Sequence, residues 1–288
     1  MSNPNARSRT RRPGPAGPRR GPAGWLGGLS PRRRMLVAGL ALVVAAGAVT
    51  AAVAAAAAGP GRAPAGYPPQ DRPGPVLLVP GYGGQTSSLA PLAARIRATG
   101  RVATVVSLPG NGTGDLNADA GALNAAVGRA LAGGAPSVDV IGYSAGGVVV
   151  LLWARHDDGS GQARRVITLG SPFHGARIAA GAEGFAPGAC PTACQQLVPG
   201  SPLLAGLVAT PVPARPRWLS LWTTDDQVVT PPDSARLAGA VNVPVQSVCP
   251  AERLSHDQLP GNPVVTAIVL QAIGSGPLRR PGPGVCAG

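Results

Sequence analysis

From Pro75 onward, short apolar runs recur along the chain, and this rhythm limits the possible fold more than any other feature. PVLLVPG, VATVVSLPG, VDVIGYS, RVITLGSP, WLSLWTTDD and VNVPVQSV are rich in β-branched residues and apolar at successive positions. A strand with one wet face alternates apolar and polar residues. Runs without that alternation need cover on both faces, as in a buried parallel sheet. Between the runs lie helix candidates: SSLAPLAARIRATG, LNADAGALNAAVGRALAGG, AGGVVVLLWARHDD, PPDSARLAGA and, last, PVVTAIVLQAIG. The alternation predicts an α/β domain over residues 75–288. Its central sheet is mostly parallel, of about six strands, with helices on both faces and right-handed crossovers. Residues 175–216, rich in Gly, Ala and Pro, break the rhythm and read as a small insertion over the top edge of the sheet.

The region before Pro75 has a different composition. Nine arginines (Arg7, Arg9, Arg11, Arg12, Arg19, Arg20, Arg32, Arg33 and Arg34) fall in the first 34 residues, and no acidic residue precedes Asp71. Taking those nine from the net charge of +13 leaves +4 for residues 35–288. The basic excess therefore belongs to a Pro/Gly/Arg tail, expected to be disordered, and argues against nucleic-acid binding as the main role. Directly after it, MLVAGLALVVAAGAVTAAVAAAAAG carries no charge. At about 1.5 Å per residue it can cross a bilayer core of roughly 30 Å. Arginines on one side orient the tail to the cytoplasm and residues 60 onward outside. A basic start, an apolar stretch and a small-residue end also fit a signal peptide, and SPRRRMLVAG loosely resembles a twin-arginine signal. The length of residues 35–58 favours an uncleaved anchor, with a cleaved signal as the alternative. Residues 59–74, GPGRAPAGYPPQDRPG, read as a stiff linker.

Cys190, Cys194, Cys249 and Cys286 all lie beyond the apolar segment, an even count that suits an oxidising compartment. Three pairings are possible. Cys190–Cys194 and Cys249–Cys286 are favoured, the first closing a short loop and the second tying down the tail. No Cys/His cluster has zinc-site spacing, so neither a metal nor another cofactor is expected.

The junction VIGYSAGG holds a serine between an apolar strand run and an apolar helix run. Gly142-Tyr143-Ser144-Ala145-Gly146 has the form of a nucleophile elbow, in which a tight strand-to-helix turn lifts a serine hydroxyl above the sheet. Gly142 and Gly146 permit the close approach of strand and helix. A serine needs a base, and the chain has three histidines. His156 ends the helix after the elbow and reads as solvated or capping. His174, in GSPFHG, follows a strand end but precedes any plausible acid. His256, in ERLSHDQLPG, follows the last strand and is the expected base. Asp225 and Asp226, at the end of WLSLWTTDD, are the acid candidates, in the order Ser, Asp, His expected on such a sheet. Asp233 reads as a helix N-cap. Oxyanion donors are expected at the Ala145 amide and in the loop holding Gly81, Tyr82 and Gly83.

Taken together, LLVPGYGG, VIGYSAGG, ITLGSPFHG, TTDDQVVTPPDSA and SHDQLPGNPVV resemble the α/β-hydrolases of the bacterial secreted lipase/esterase class, close to the small actinobacterial and Bacillus-type lipases. The resemblance covers about residues 75–275. It implies Tyr82 as an oxyanion donor. It also selects Asp226 over Asp225, because the family's acid precedes an apolar pair after one intervening residue, as in Asp226-Gln227-Val228-Val229. His174 becomes a loop residue. Pro80-Gly81 stands where the family usually reads His-Gly. The implied function is an exported serine hydrolase, extracytoplasmic and either secreted or membrane-anchored through residues 35–58. It would act as a monomer on carboxylic esters, of acylglycerol type. Two other classes remain open: an envelope acyltransferase passing the same acyl group to an alcohol or sugar, and a non-catalytic surface protein on a hydrolase scaffold.

Overall fold

A computed structural model describes residues 30–32, 35, 67–157, 159–185 and 190–287. The expectations for the tail (1–34) and the apolar segment (35–58) fall almost wholly outside the described residues. Among the described residues no helix is long and apolar enough to cross a membrane.

Six strands form one sheet: β1 (Val76–Val79), β2 (Ala103–Val105), β3 (Val138–Tyr143), β4 (Ala163–Leu169), β5 (Arg217–Trp222) and β6 (Val241–Pro244). Their order is β2-β1-β3-β4-β5-β6, and every neighbouring pair is parallel. β1, β3 and β4 are buried at every residue, whereas the edge strands β2 and β6 are partly open. That pattern explains why the central runs are apolar at successive positions. One face carries α2 (Leu116–Ala132) and α3 (Ala145–His156), packed on Leu77, Val79, Val140 and Val166. The other carries α1 (Ala90–Arg97) and a long C-terminal helix, Pro263–Ile273, packed on Val76, Leu78, Ile141 and Ile167. Two of these helices start at side-chain caps, with Asp115 accepting from the Asn117 amide and Asn262 from the Val265 amide.

A short helix, α4 (Gly159–Gln162), precedes β4, and the insertion after β4 folds as α5 (Arg177–Phe185), α6 (Thr192–Gln196) and α7 (Pro202–Val208). The C-terminal helix becomes α8. Cys190 is bonded to Cys194 and Cys249 to Cys286. Gln196 fastens the insertion to the start of α2, accepting from the Leu116 amide and donating to Asp115 Oδ1 at 2.7 Å.

Two local expectations need correction. PPDSARLAGA is not a helix; only a 3-10 turn forms, Pro232–Ala235, and Arg236 is already extended (φ −66°, ψ 131°). Gly239 has φ 87°, and a Cβ there would stand 2.4 Å from the Val212 carbonyl oxygen, so the segment cannot continue as a helix. Asp233 consequently lies inside the turn, and the cap position is Pro231, without a side-chain bond.

The start of β4 also holds two fully buried arginines that the apolar pattern concealed. Arg164 meets buried Asp139 of β3 and donates to the carbonyls of Gln70 and Gly274. Arg165 donates to the carbonyls of Ala272 and Gly276, at the C-terminal end of α8, where a cation is favoured. Burial, then the neighbouring Arg164 charge, pulls the Arg165 pKa down to about 10. Gln70 returns a bond to the Arg164 carbonyl, so the described part of the linker (67–74) is attached to the base of the sheet.

Candidate active site

The β3–α3 junction determines the position of Ser144. Its backbone sits at φ 54°, ψ −127°, a conformation costly for a residue with a side chain. The amide of Ser144 donates to the Leu169 carbonyl of β4 at 2.8 Å, and its own carbonyl accepts from Gly147, so both sides of the strained residue are held. Ser144 occupies the cap position of α3 but makes no side-chain cap bond. Its hydroxyl is therefore available. A Cβ on Gly142 would stand 2.6 Å from the Gly147 Cα, and one on Gly146 would stand 2.3 Å from the Val79 carbonyl oxygen. Strand and helix can meet this closely only through glycine.

Gly81, in the loop after β1, lies directly against Ser144: a Cβ there would come within 2.9 Å of the serine Cβ. The next residue, Tyr82, is 43% exposed, and among the described residues its amide donates no backbone hydrogen bond. Ala145 is the first residue of α3, where the amide has no partner within the helix. Both expected oxyanion donors thus line the same cavity as Ser144, and among the described residues neither amide has a backbone acceptor.

Asp226 and His256 meet directly. Asp226 Oδ2 lies 2.7 Å from His256 Nδ1, with both side chains buried. The other carboxylate oxygen accepts from the Val228 and Val229 amides at 2.9 and 2.8 Å. Asp225 is half-buried, and among the described residues its carboxylate reaches only the Gln246 amide nitrogen, at 3.5 Å. His156 is exposed at the end of α3. His174 is also exposed, its Nε2 3.1 Å from the Arg236 carbonyl. Among the described residues, no hydrogen bond joins Ser144 Oγ to His256; such bonds commonly tighten only when substrate binds. The histidine nonetheless packs on the residue before the serine. Its ring centroid is 5.2 Å from that of Tyr143, and the Tyr143 hydroxyl donates to the His256 carbonyl at 3.3 Å. Burial, and then the Asp257 and Asp226 charges, push the Tyr143 phenol up to about 12, so it stays neutral.

Two residues of the site escaped the sequence reading. Gly170, the first residue after β4, has φ 57°, and a Cβ there would come within 3.1 Å of His256 Nδ1. The ring needs that space. A glycine ending a strand run, as in ITLGSP, was its only visible signal. Thr223 is fully buried at the end of β5 and donates to the Leu254 carbonyl at 2.8 Å, joining the strand end that leads to Asp226 to the loop that carries His256. Nothing local marks it, because its partner is 31 residues away.

Ser144 and Ala145 open onto a cavity of about 280 Å³, lined also by Tyr82, Ala176, Ala179, Leu197 and Val229. Its remaining lining is aliphatic apart from Cys194. Ile178 and Val228, 61% and 39% exposed, stand at its rim.

Solved structures share this architecture. Lipase B of Aspergillus fumigatus matches with a TM-score of 0.62 at 17% identity, over 75% of this chain and 57% of that chain. Lipase BlEst2 of Bacillus licheniformis in its mature form matches at 0.57 and 17% identity, over 74% of this chain and 96% of that chain. The chain has the α/β-hydrolase fold. The propeptide form of BlEst2 gives 0.58 at 19% identity, over 76% of this hydrolase-fold chain and 54% of that chain. This chain therefore spans little more than half the length of the Aspergillus lipase and of the propeptide form. No protein-family model matches the sequence, and no curated protein matches it.

Proposed function

We propose that the protein is an exported serine hydrolase that cleaves carboxylic esters, of acylglycerol type, through an acyl-enzyme. The observation that carries this reading is the buried 2.7 Å pairing of Asp226 with His256 beside a strained Ser144 that opens onto an apolar cavity. Asp226 holds Nδ1–H, which leaves Nε2 as the basic nitrogen. Ser144 Oγ attacks the ester carbonyl while His256 takes its proton. The amides of Tyr82 and Ala145 receive the developing oxyanion. The alcohol departs with the proton from His256, and water then repeats the sequence on the acyl-serine. The lipase neighbours support ester chemistry by analogy of fold alone. The two disulfides fit an extracytoplasmic setting.

The test is hydrolysis of p-nitrophenyl esters, together with labelling by an organophosphonate. Ser144→Ala should abolish both while thermal unfolding changes little. A variant still labelled at the wild-type rate would remove Ser144 from its role.

A further inference from the structure

The cavity beside Ser144 is asymmetric in origin. One end is built from the elbow itself, Ser144 and Ala145, and another wall from Val228 and Val229 after the acid. Tyr82 and Pro172 also line it, and the insertion supplies the rest, where α5 and the segment before it present Ala176, Ala179 and Ala182, and α6 and its flank present Cys194 and Leu197. Ala179 is 8% exposed and Leu197 6%. Both are turned inward. At about 280 Å³ the space lies just below the roughly 300–1,000 Å³ usual for small-molecule sites, so a few carbon atoms decide what fits.

The wall is also fixed in place. Cys194 is bonded to Cys190, the Leu197 carbonyl accepts from the Ala176 amide at 3.1 Å, and Gln196 is tied to Asp115 and to the Leu116 amide. A tethered wall of small residues holds its volume, whereas a loose one would collapse onto the void.

Building on the ester-hydrolase reading, we propose that Ala179 and Leu197 set the acyl-chain length the enzyme accepts. The acyl group of the substrate runs from Ser144 into the space between them. Ala179 leaves that space open and Leu197 closes its far side. Replacing the Ala179 methyl with leucine adds an isopropyl group inside the cavity and shortens the chain that fits. Trimming Leu197 to alanine lengthens it.

The test compares kcat/KM for p-nitrophenyl octanoate with that for p-nitrophenyl acetate, measured on the same preparation so that the fraction of folded enzyme cancels. Ala179→Leu is expected to lower the octanoate-to-acetate ratio by about 10-fold or more, in line with the roughly 10–200-fold that one methylene can decide in an apolar pocket. Ala179→Val, a smaller addition, should move it in the same direction by less. Leu197→Ala should raise the ratio for palmitate over octanoate. Ratios unchanged in all three variants would overturn the proposal and put the acyl chain elsewhere. A wild-type protein that hydrolysed none of the esters would overturn the hydrolase reading itself, which is a different result.

Discussion

Asp226 divides its two oxygens between two tasks: Oδ2 stands 2.7 Å from His256 Nδ1, while Oδ1 accepts the amides of Val228 and Val229. The backbone bonds fix the carboxylate's orientation, and the orientation fixes the imidazole. Asp225, one residue earlier, points to Gln246.

That division separates the two acids experimentally. Asp226→Asn should keep the fold but favour the wrong imidazole tautomer, lowering kcat by about 10⁴, as in the serine-protease template. Asp225→Asn should change kcat by less than about 10-fold, since it removes one long, half-exposed contact. Steady-state kinetics on a soluble ester reads both. The reverse ranking would place the acid one residue earlier.

The bridge between Cys249 and Cys286 closes a sequence separation of 37 residues, and Cys249 begins the loop leading to His256. Chain-entropy estimates give a loop of this size about 3–4 kcal/mol. The double variant Cys249→Ser, Cys286→Ser should therefore lower Tm by roughly 10 °C. It should also lower kcat at temperatures where the domain remains folded, through a less ordered His256 loop. A differential scanning trace unchanged from wild type would contradict this.

Asp119, in the first turns of α2, is 1% exposed, and among the described residues neither carboxylate oxygen has a hydrogen-bond partner. Burial, then the Asp115 charge, raises its pKa from 3.8 to about 6. A carboxyl whose folded pKa is raised binds its proton more tightly in the native state. Its contribution is thus most favourable below pH 3.8 and is lost as pH rises through about 6. The loss by neutral pH is on the order of 2–3 kcal/mol. Asp119→Asn should flatten this part of the stability profile between about pH 4 and 7 and raise stability at neutral pH relative to wild type. Urea unfolding across that range gives the comparison, and parallel wild-type and variant profiles would show that the carboxylate is hydrated or paired in solution.

The strand–helix alternation and the Gly142–Gly146 junction were legible in the sequence because they rest on local properties. Apolar residues at successive positions require burial on both faces, and a serine between glycines before an apolar helix requires a tight turn. The segment 231–240 shows the limit of that reading. Its composition suits a helix, yet Gly239 must pass the Val212 backbone at positive φ, and Val212 is remote in sequence.

Other features depended on residues brought together from distant parts of the chain. From the residues alone, Asp225 and Asp226 were equivalent. Only the path of the loop after β5 buries one of them against His256, 30 positions later. The space that Gly170 leaves for the imidazole and the bond from Thr223 to Leu254 exist only once β4, β5 and the histidine loop lie side by side. The pairing of Arg164 with Asp139 likewise requires adjacent strands. The sequence by itself determined the layered sheet and the serine's turn, because backbone sterics and apolar periodicity act over a few residues. Tertiary structure decided which aspartate meets His256, the space around that imidazole and the shape of the cavity, because hydrogen bonds and packing depend on distance in space, not on separation along the chain.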